Sequence, residues 1–368
     1  MSVNLKSLYK EFIKYEENKF IEDLKFQLLE EISFSKHVCK KVYDNYIKPS
    51  FVQFSIKLKN VVFSKSISRS IGGDIWNLWY LYSFLEEKNI IGIENGKVFL
   101  KEKDILDCLV RPLTINQILK IVEKKLKINI KKYFNLPVFF IFSKLGLKFK
   151  WKEHFDQLPI SNFSAISVLE RITAYLPIND RILFVGDDDF VSVLLALINP
   201  KISITVCDID VELLNVIERL NELLNINIKT KLVDIRKSKK FAKKFIAFYA
   251  NPPYTENGVK SFMEFGINNF SKDGGISFLV IGDENIGNRF LFLQKFFSEK
   301  KLMLLELIPN FVMYPYVKHS EFDVIVQRIK SKFNIKKVPI LFANFYVFNY
   351  IPWKIRKIQF KKTIYTYL

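Results

Sequence analysis

The stretch RILFVGDDDFVSVLLALINP, residues 181–200, puts three consecutive carboxylates, Asp187, Asp188 and Asp189, directly after Gly186. An apolar β run, 182–185, leads into the turn, and an apolar segment of helix length follows from Phe190. Nucleotide binders place glycines at such a strand–turn–helix junction so that backbone N–H groups can approach an anion. Acid in place of glycine favours a cation above the turn. One aspartate can cap the following helix, whose dipole favours a carboxylate there. Three in succession repel one another unless something positive lies among them.

Ligands of open α/β sheets bind beyond the carboxyl ends of the strands, so the other predicted strand ends belong to the same site. After VCDID, Asp208 is placed to accept hydrogen bonds from ribose hydroxyls, and Asp210 to cap the next helix. Asp234, in LVDIRK, is placed to read an adenine amino group. In YANPPYTENG the pair Pro252 and Pro253 fixes the backbone, the Asn251 amide can orient an amine, and the Tyr254 ring can flank it. The fifth end, IGDENIG, adds Asp283 and Glu284. Carboxylates at four of five ends would serve the carboxylate of S-adenosylmethionine poorly. Decarboxylated S-adenosylmethionine, which has an amine and a sulfonium, suits such a field, as does a polyamine. The NPPY string resembles the motif of enzymes that methylate exocyclic amino groups, which points to nitrogen attacking a carbon bonded to sulfonium.

To position these ends the chain must alternate strands and helices, and its pattern does so from Arg181 onward. Strands are predicted at 182–185, 202–207, 228–233, 245–250, 275–281 and 301–308, with a last, antiparallel strand at 322–328. Helices are predicted at 190–198, 211–224, 259–270 and about 288–299. Seven strands in this alternation make an α/β, Rossmann-like class I transferase sheet with its last strand reversed. The segment WKEHFDQL, 151–158, is expected to fold over the mouth of the site, ahead of a helix at 164–176.

Four regions are expected: a helical segment at 1–66, a winged-helix-like domain and linker at 67–150, the catalytic domain at 151–330 and an extension at 331–368. Apolar residues at helical spacing mark the first region. In the second, Asp74 can cap a helix that runs into a hairpin at Asn95–Gly96. That helix is rich in Trp and Leu, which favours packing over groove reading. A further helix is expected from Asp104 to about Ile128, with Pro137 arguing against helix beyond it. The tail alternates aromatics with lysine and is expected to add strands or an interface.

The 368 residues carry a formal charge of +19. That excess lies in the first 150 residues and the last 78, while 181–290 is neutral. The lysines therefore suit the solvated faces of an AT-rich or heat-adapted composition, and nucleic acid is not the expected partner. Three scattered cysteines and three histidines give no metal spacing, so no metal is expected. No apolar run reaches bilayer length, and a cytoplasmic protein with no membrane partner is expected.

The combination of HFDQ, FVGDDDFVS, VCDID, NPPYT and NFVMYP resembles the branched-chain polyamine synthase family, the N(4)-bis(aminopropyl)spermidine synthases of thermophilic archaea and bacteria. The likeness runs from about Ser68 to Gln327, and the acidic triplet is its most specific part. The resemblance implies two aminopropyl transfers from decarboxylated S-adenosylmethionine to the central secondary amine of spermidine, with methylthioadenosine as co-product and no permanently bound cofactor. It implies that Asp189 holds the attacking amine and takes its proton, while Asp187 and Asp188 support the charge and position the aminopropyl group. Gly186, Asp208, Asp234 and Asn251 would bind the donor. Asp156, Gln157, Pro252, Pro253, Tyr254 and Glu284 would line the polyamine channel, Tyr254 close to the chemistry. A homodimer through the N-terminal region is expected. Two alternatives are an NPPY-type N-methyltransferase acting on nucleic acid and a winged-helix regulator that senses an adenosyl ligand. The missing glycine-rich turn argues against the first, and the full set of acidic strand ends argues against the second.

Overall fold

The computed structural model describes residues 3–27, 40, 43–64, 75–95, 97–238, 241, 244–316, 320–334 and 339–353. The chain divides into one unit of residues 1–108 with 351–368, and a second of residues 109–350.

In the first unit, helices Leu5–Gln27, Phe51–Ser64 and Ile75–Glu87 share an aromatic core. Phe12 is fully buried between Phe54 and Phe84, with ring centres 5.0 and 5.3 Å away. The third helix runs into an antiparallel hairpin, β1 (Ile91–Glu94) and β2 (Lys97–Leu100), as the Asn95–Gly96 signal predicts. Asn95 takes the left-handed conformation such a two-residue turn demands, with φ of 49°. Asp74 and Gly96 lie outside the described residues.

The long helix expected from Asp104 is two pieces. Ile105–Cys108 ends before Pro112, whose ring and missing N–H stop a helix, and Ile115–Leu126 starts afresh. Thr114 and Gln117 form a reciprocal capping box at that second start.

The second unit is built on a seven-stranded sheet of β3 (Arg181–Val185), β4 (Ser203–Asp208), β5 (Ile228–Leu232), β6 (Ala247–Ala250), β7 (Gly275–Ile281), β8 (Leu302–Pro315) and β9 (Pro339–Tyr350). Their order across the sheet is β5-β4-β3-β6-β7-β9-β8. The first five are mutually parallel and β9 runs against both its neighbours. This is the expected α/β sheet with its last strand reversed. The order changes direction at β3 and β6, which leaves a crevice beyond their carboxyl ends. Helices cover both faces. On one, Val259, Met263, Leu293 and Phe296 pack against Leu183, Phe248 and Leu279 in a continuous apolar core. β3 and β6 are almost wholly buried apolar runs, as parallel strands covered on both faces must be.

The reversed strand is not where the sequence places it. Residues 322–328 lie within a helix, Ser320–Phe333, and the seventh strand comes from the tail at Pro339–Tyr350. Val324 and Ile325 are both exposed while Val326 is buried, which is not the alternation of a half-buried strand. In the tail, residues 345–349 are buried without a break, as a strand covered on both faces must be. Among the described residues no helix is long and apolar enough to cross a membrane.

Candidate active site

β3 ends at Gly186, whose φ of +73° is the left-handed turn that favours glycine. The three aspartates that follow go to three different places. Asp187 turns back under the helix Val191–Ile198. Its Oδ1 accepts from the Val191 N–H at 2.9 Å, and its Oδ2 accepts from the Ser192 N–H at 3.2 Å and from the Ser192 hydroxyl. It is buried and off the cavity wall, so its placement is that of a helix cap rather than a donor contact. Four unpaired N–H groups begin every helix, and this carboxylate serves the first of them. Asp187→Ala is expected to cost about 2 kcal/mol of stability, measurable by urea unfolding.

Asp188 faces the other way, into a cavity of about 480 Å³ over the strand ends. No side chain among the described residues donates to its carboxylate. Burial pushes its pKa well up, and the charges of Asp189, Asp208 and Asp187 add to this. Asp189 lies behind the cavity wall, 1 % exposed. Its Oδ1 accepts from the Ile160 N–H at 2.9 Å and its Oδ2 from the Asn251 amide at 2.7 Å. Each oxygen keeps further lone-pair capacity. Burial pushes Asp189 up to about 6, against the pull of these two donors.

Asp208, at the end of β4, lines the cavity. One oxygen accepts from the Asp210 N–H at 2.8 Å, and burial pushes the group up to about 6. Asp210 caps the helix Val211–Leu224, as expected, and also accepts from the Lys152 ammonium at 2.6 Å and the Gln157 amide at 3.0 Å. Those two bonds tie the segment 151–158 down beside the cavity, which His154, Phe155, Asp156 and Gln157 line. Asp234 lines it too, held in a fork by Arg236 at 2.8 and 2.9 Å, and the guanidinium pulls its pKa down to about 2. Both of its oxygens are therefore engaged.

Beyond β6, Asn251 and Pro253 line the cavity, while Pro252 is buried beneath. Thr255 caps the helix Glu256–Asn268, so Asn257 and Gly258 reach the cavity from a helix start rather than a loop. Tyr254 lies against the turn after β7, where a Cβ on Gly282 would stand 2.6 Å from its ring. Gly282→Ala is expected to push that ring aside and lower activity severalfold, a shift a crystal structure of the variant would show. Glu284 is not brought to the site. It is the second residue of the short helix Asp283–Ile286 and is exposed, and Asp283 is engaged by Asn344 and Tyr346. The residue the sequence leaves unassigned is Tyr314, near the end of β8. Its phenol bonds to both atoms of the Asn251 amide and meets the Tyr254 hydroxyl. The only sequence signal for it is its place in the string NFVMYP.

One cavity at the sheet's switch point is thus lined by Asp188, Asp208, Asn251 and Pro253, and Asn251 links it to Asp189 and Tyr314 behind the wall. Residues 148–361, more than half of the chain, match the family of the branched-chain polyamine synthase A C-terminal domain. The chain belongs to that family. An uncharacterized protein of Methanocaldococcus jannaschii is 38% identical over 136 residues, 36% of this chain and 34% of that protein. The N(4)-bis(aminopropyl)spermidine synthase of the same organism is 40% identical over 92 residues, 24% of this chain and 26% of that one. The matches span about a third and about a quarter of those relatives' lengths. The branched-chain polyamine synthase of Thermus thermophilus, solved with N4-aminopropylspermidine and 5'-methylthioadenosine, superposes with a TM-score of 0.49 at 13% identity, covering 95% of this chain and 93% of that one. In this member of the branched-chain polyamine synthase family, the acidic triplet supplies one structural carboxylate, one at the cavity and one just behind its wall.

Proposed function

We propose that this protein is an aminopropyltransferase, which moves aminopropyl groups from decarboxylated S-adenosylmethionine to the central secondary amine of spermidine. The products are N(4)-aminopropylspermidine, then N(4)-bis(aminopropyl)spermidine, with one methylthioadenosine released per transfer. The observation that carries this reading is the Asp188–Asp189 pair over the strand ends, where an anion-binding turn would have glycines. A cavity bordered by Asp156, Asp188 and Asp208 favours a cationic acceptor and a donor without a carboxylate.

In this reading Asp208 holds the ribose and the Asp234–Arg236 pair borders the adenine. Asp188 holds the ammonium end or the aminopropyl chain of the donor, and Asp156 and Gln157 flank the polyamine. In the first transfer the acceptor nitrogen's lone pair forms the new N–C bond as the C–S bond breaks. The electrons of that bond stay on sulfur, giving neutral methylthioadenosine, and the proton lost from nitrogen passes to Asp189. A carboxylate titrating at about 6 is a better proton acceptor near neutrality than an ordinary one. Displacement at a sulfonium carbon otherwise needs chiefly alignment and charge complementarity.

The Asn251 oxygen already accepts from the Tyr314 and Tyr254 hydroxyls, at 3.0 and 3.2 Å, which favours an aliphatic amine over the planar amino group of a nucleobase. The test is incubation with spermidine and each sulfonium donor in turn, followed by mass spectrometry of the polyamines. The expected result is a mass gain of one and then two aminopropyl groups with the decarboxylated donor. Methyl transfer from S-adenosylmethionine to RNA or DNA, with no aminopropyl product, would favour the N-methyltransferase instead.

A further inference from the structure

We infer that Tyr314 is a positioning residue of this site: together with Tyr254 it holds in place the Asn251 amide, whose nitrogen donates to Asp189. The inference concerns the same site as the proposed aminopropyl transfer and rests on that reading for its kinetic consequence alone. The Asn251 nitrogen donates to Asp189 Oδ2 at 2.7 Å and to the Tyr314 hydroxyl at 2.8 Å. The Asn251 oxygen accepts from Tyr314 at 3.0 Å and Tyr254 at 3.2 Å, and the two phenols contact each other. One proton arrangement that satisfies the ring runs from the amide nitrogen to Tyr314, from Tyr314 to Tyr254 and from Tyr254 to the amide oxygen. Turning the amide over would set its oxygen against the carboxylate, two acceptors face to face. The carboxylate thus sets which way the amide faces, and the two phenols, bonded to its other side, hold it in place against Asp189.

Tyr314 is itself held by the elements that hold Asp189. β8 is irregular between Ile308 and Val312, where Asn310 takes a φ of 52°, and such a bulge re-aims the residues beyond it. Past the bulge, the Met313 N–H donates to Ser164 Oγ at 2.8 Å and its carbonyl accepts from the Ser161 N–H at 2.9 Å. The neighbouring Ile160 N–H is the one that donates to Asp189. Residues 160–161 therefore tie the carboxylate and the tyrosine strand to one short piece of backbone.

The groups packed around Asp189 are acids and phenols from every side. Asp187 and Asp188 come from its own turn, Tyr249 from β6, Tyr254 from the turn after it, and Tyr314 from β8; Asp208 of β4 stands near Asp188, and Asp156 near Tyr254. The ionised form is favoured by the Ile160 and Asn251 N–H groups. If Tyr314 no longer holds the amide, the Asn251 bond loosens and Asp189 keeps its proton to higher pH.

The test is a carboxyl ¹³C NMR titration of the whole protein, with the Asp189 signal identified by its loss in Asp189→Asn. Tyr314→Phe is expected to raise the Asp189 midpoint by about half a pH unit or more, and Asn251→Ala to move it in the same direction and further. The acid limb of the kcat/KM profile should move with it in Tyr314→Phe, while KM for the donor is kept. An Asp189 midpoint that shifts in Asn251→Ala but stays at the wild-type value in Tyr314→Phe overturns the inference, even if Tyr314→Phe turns over slowly. The titration needs no turnover. A protein with the NMR shift but no aminopropyl transfer would sink the proposed reaction and leave the role of Tyr314 standing.

Discussion

Asp189→Asn is expected to lower aminopropyl turnover at least about a hundredfold, the usual range for removing a general base. The substitution keeps the shape, but its one oxygen can accept from only one of the two donors, the Ile160 N–H or the Asn251 amide, because these bond to different oxygens of Asp189. It removes the charge that draws the acceptor amine and the basicity that takes its proton. Binding of methylthioadenosine should largely survive, because Asp208 and the Asp234–Arg236 pair lie at other strand ends. Rates near wild type in this variant, with product confirmed by mass spectrometry, would take Asp189 out of the proton-transfer role. Loss of both turnover and methylthioadenosine binding would mark it as a structural group only.

Affinity for spermidine is expected to rise at least about tenfold between pH 5 and pH 7. A carboxylate titrating at about 6 goes from about one-tenth to about nine-tenths ionised over that span, and only the ionised form pairs with an ammonium. Protein stability without ligand should run the opposite way. The folded-state pKa values of Asp189 and Asp208 are raised above those of the unfolded chain, so the folded state binds more protons between about pH 4 and pH 6. Stability from these groups is full below about pH 4, falls as pH rises to about 6, and is level above. For Asp189 the rise from 3.8 to about 6 corresponds to about 3 kcal/mol. A bound polycation offsets that cost, so the gain in Tm on adding spermidine should be larger at pH 7 than at pH 5. Calorimetric titration at both values measures the first effect and thermal unfolding the second. Equal affinity at pH 5 and pH 7 would mean that neither Asp189 nor Asp208 meets the cation.

The positions of the parallel strands are legible because β3, β6 and β7 are buried apolar runs that end in turn residues, a pattern local to each segment. The error at 322–328 has the same origin. VIVQRIK is apolar enough for a strand or a helix, and only its neighbours decide which. The tail strand β9 fills the place beside β7 and leaves 322–328 free to coil. Pro112 was visible, yet the helical pattern on both sides of it concealed the break.

At the site, the sequence identifies which strand ends carry acid but not where each carboxylate points. GDDD contains three equal residues, and backbone geometry alone divides them. Asp187 turns under the helix because its N–H groups are the nearest donors, Asp188 opens to the cavity, and Asp189 reaches back to Ile160 and Asn251. The engagement of Asp234 by Arg236 depends on side chains two residues apart and could have been read from LVDIRK. Tyr314 could not be, because it lies 63 residues beyond Asn251 and arrives through the position of β8. Glu284 shows the converse: an acid at a strand end in sequence, carried outward by a four-residue helix.

The measurement that tests the central claim most directly is donor discrimination, with kcat/KM for decarboxylated S-adenosylmethionine set against that for S-adenosylmethionine under identical conditions with spermidine as acceptor. An acidic cavity at Asp188 and Asp208 predicts a preference of at least about a hundredfold for the donor lacking the carboxylate, since an unpaired carboxylate among buried acids costs several kcal/mol. Equal use of the two donors, or preference for S-adenosylmethionine, would contradict it.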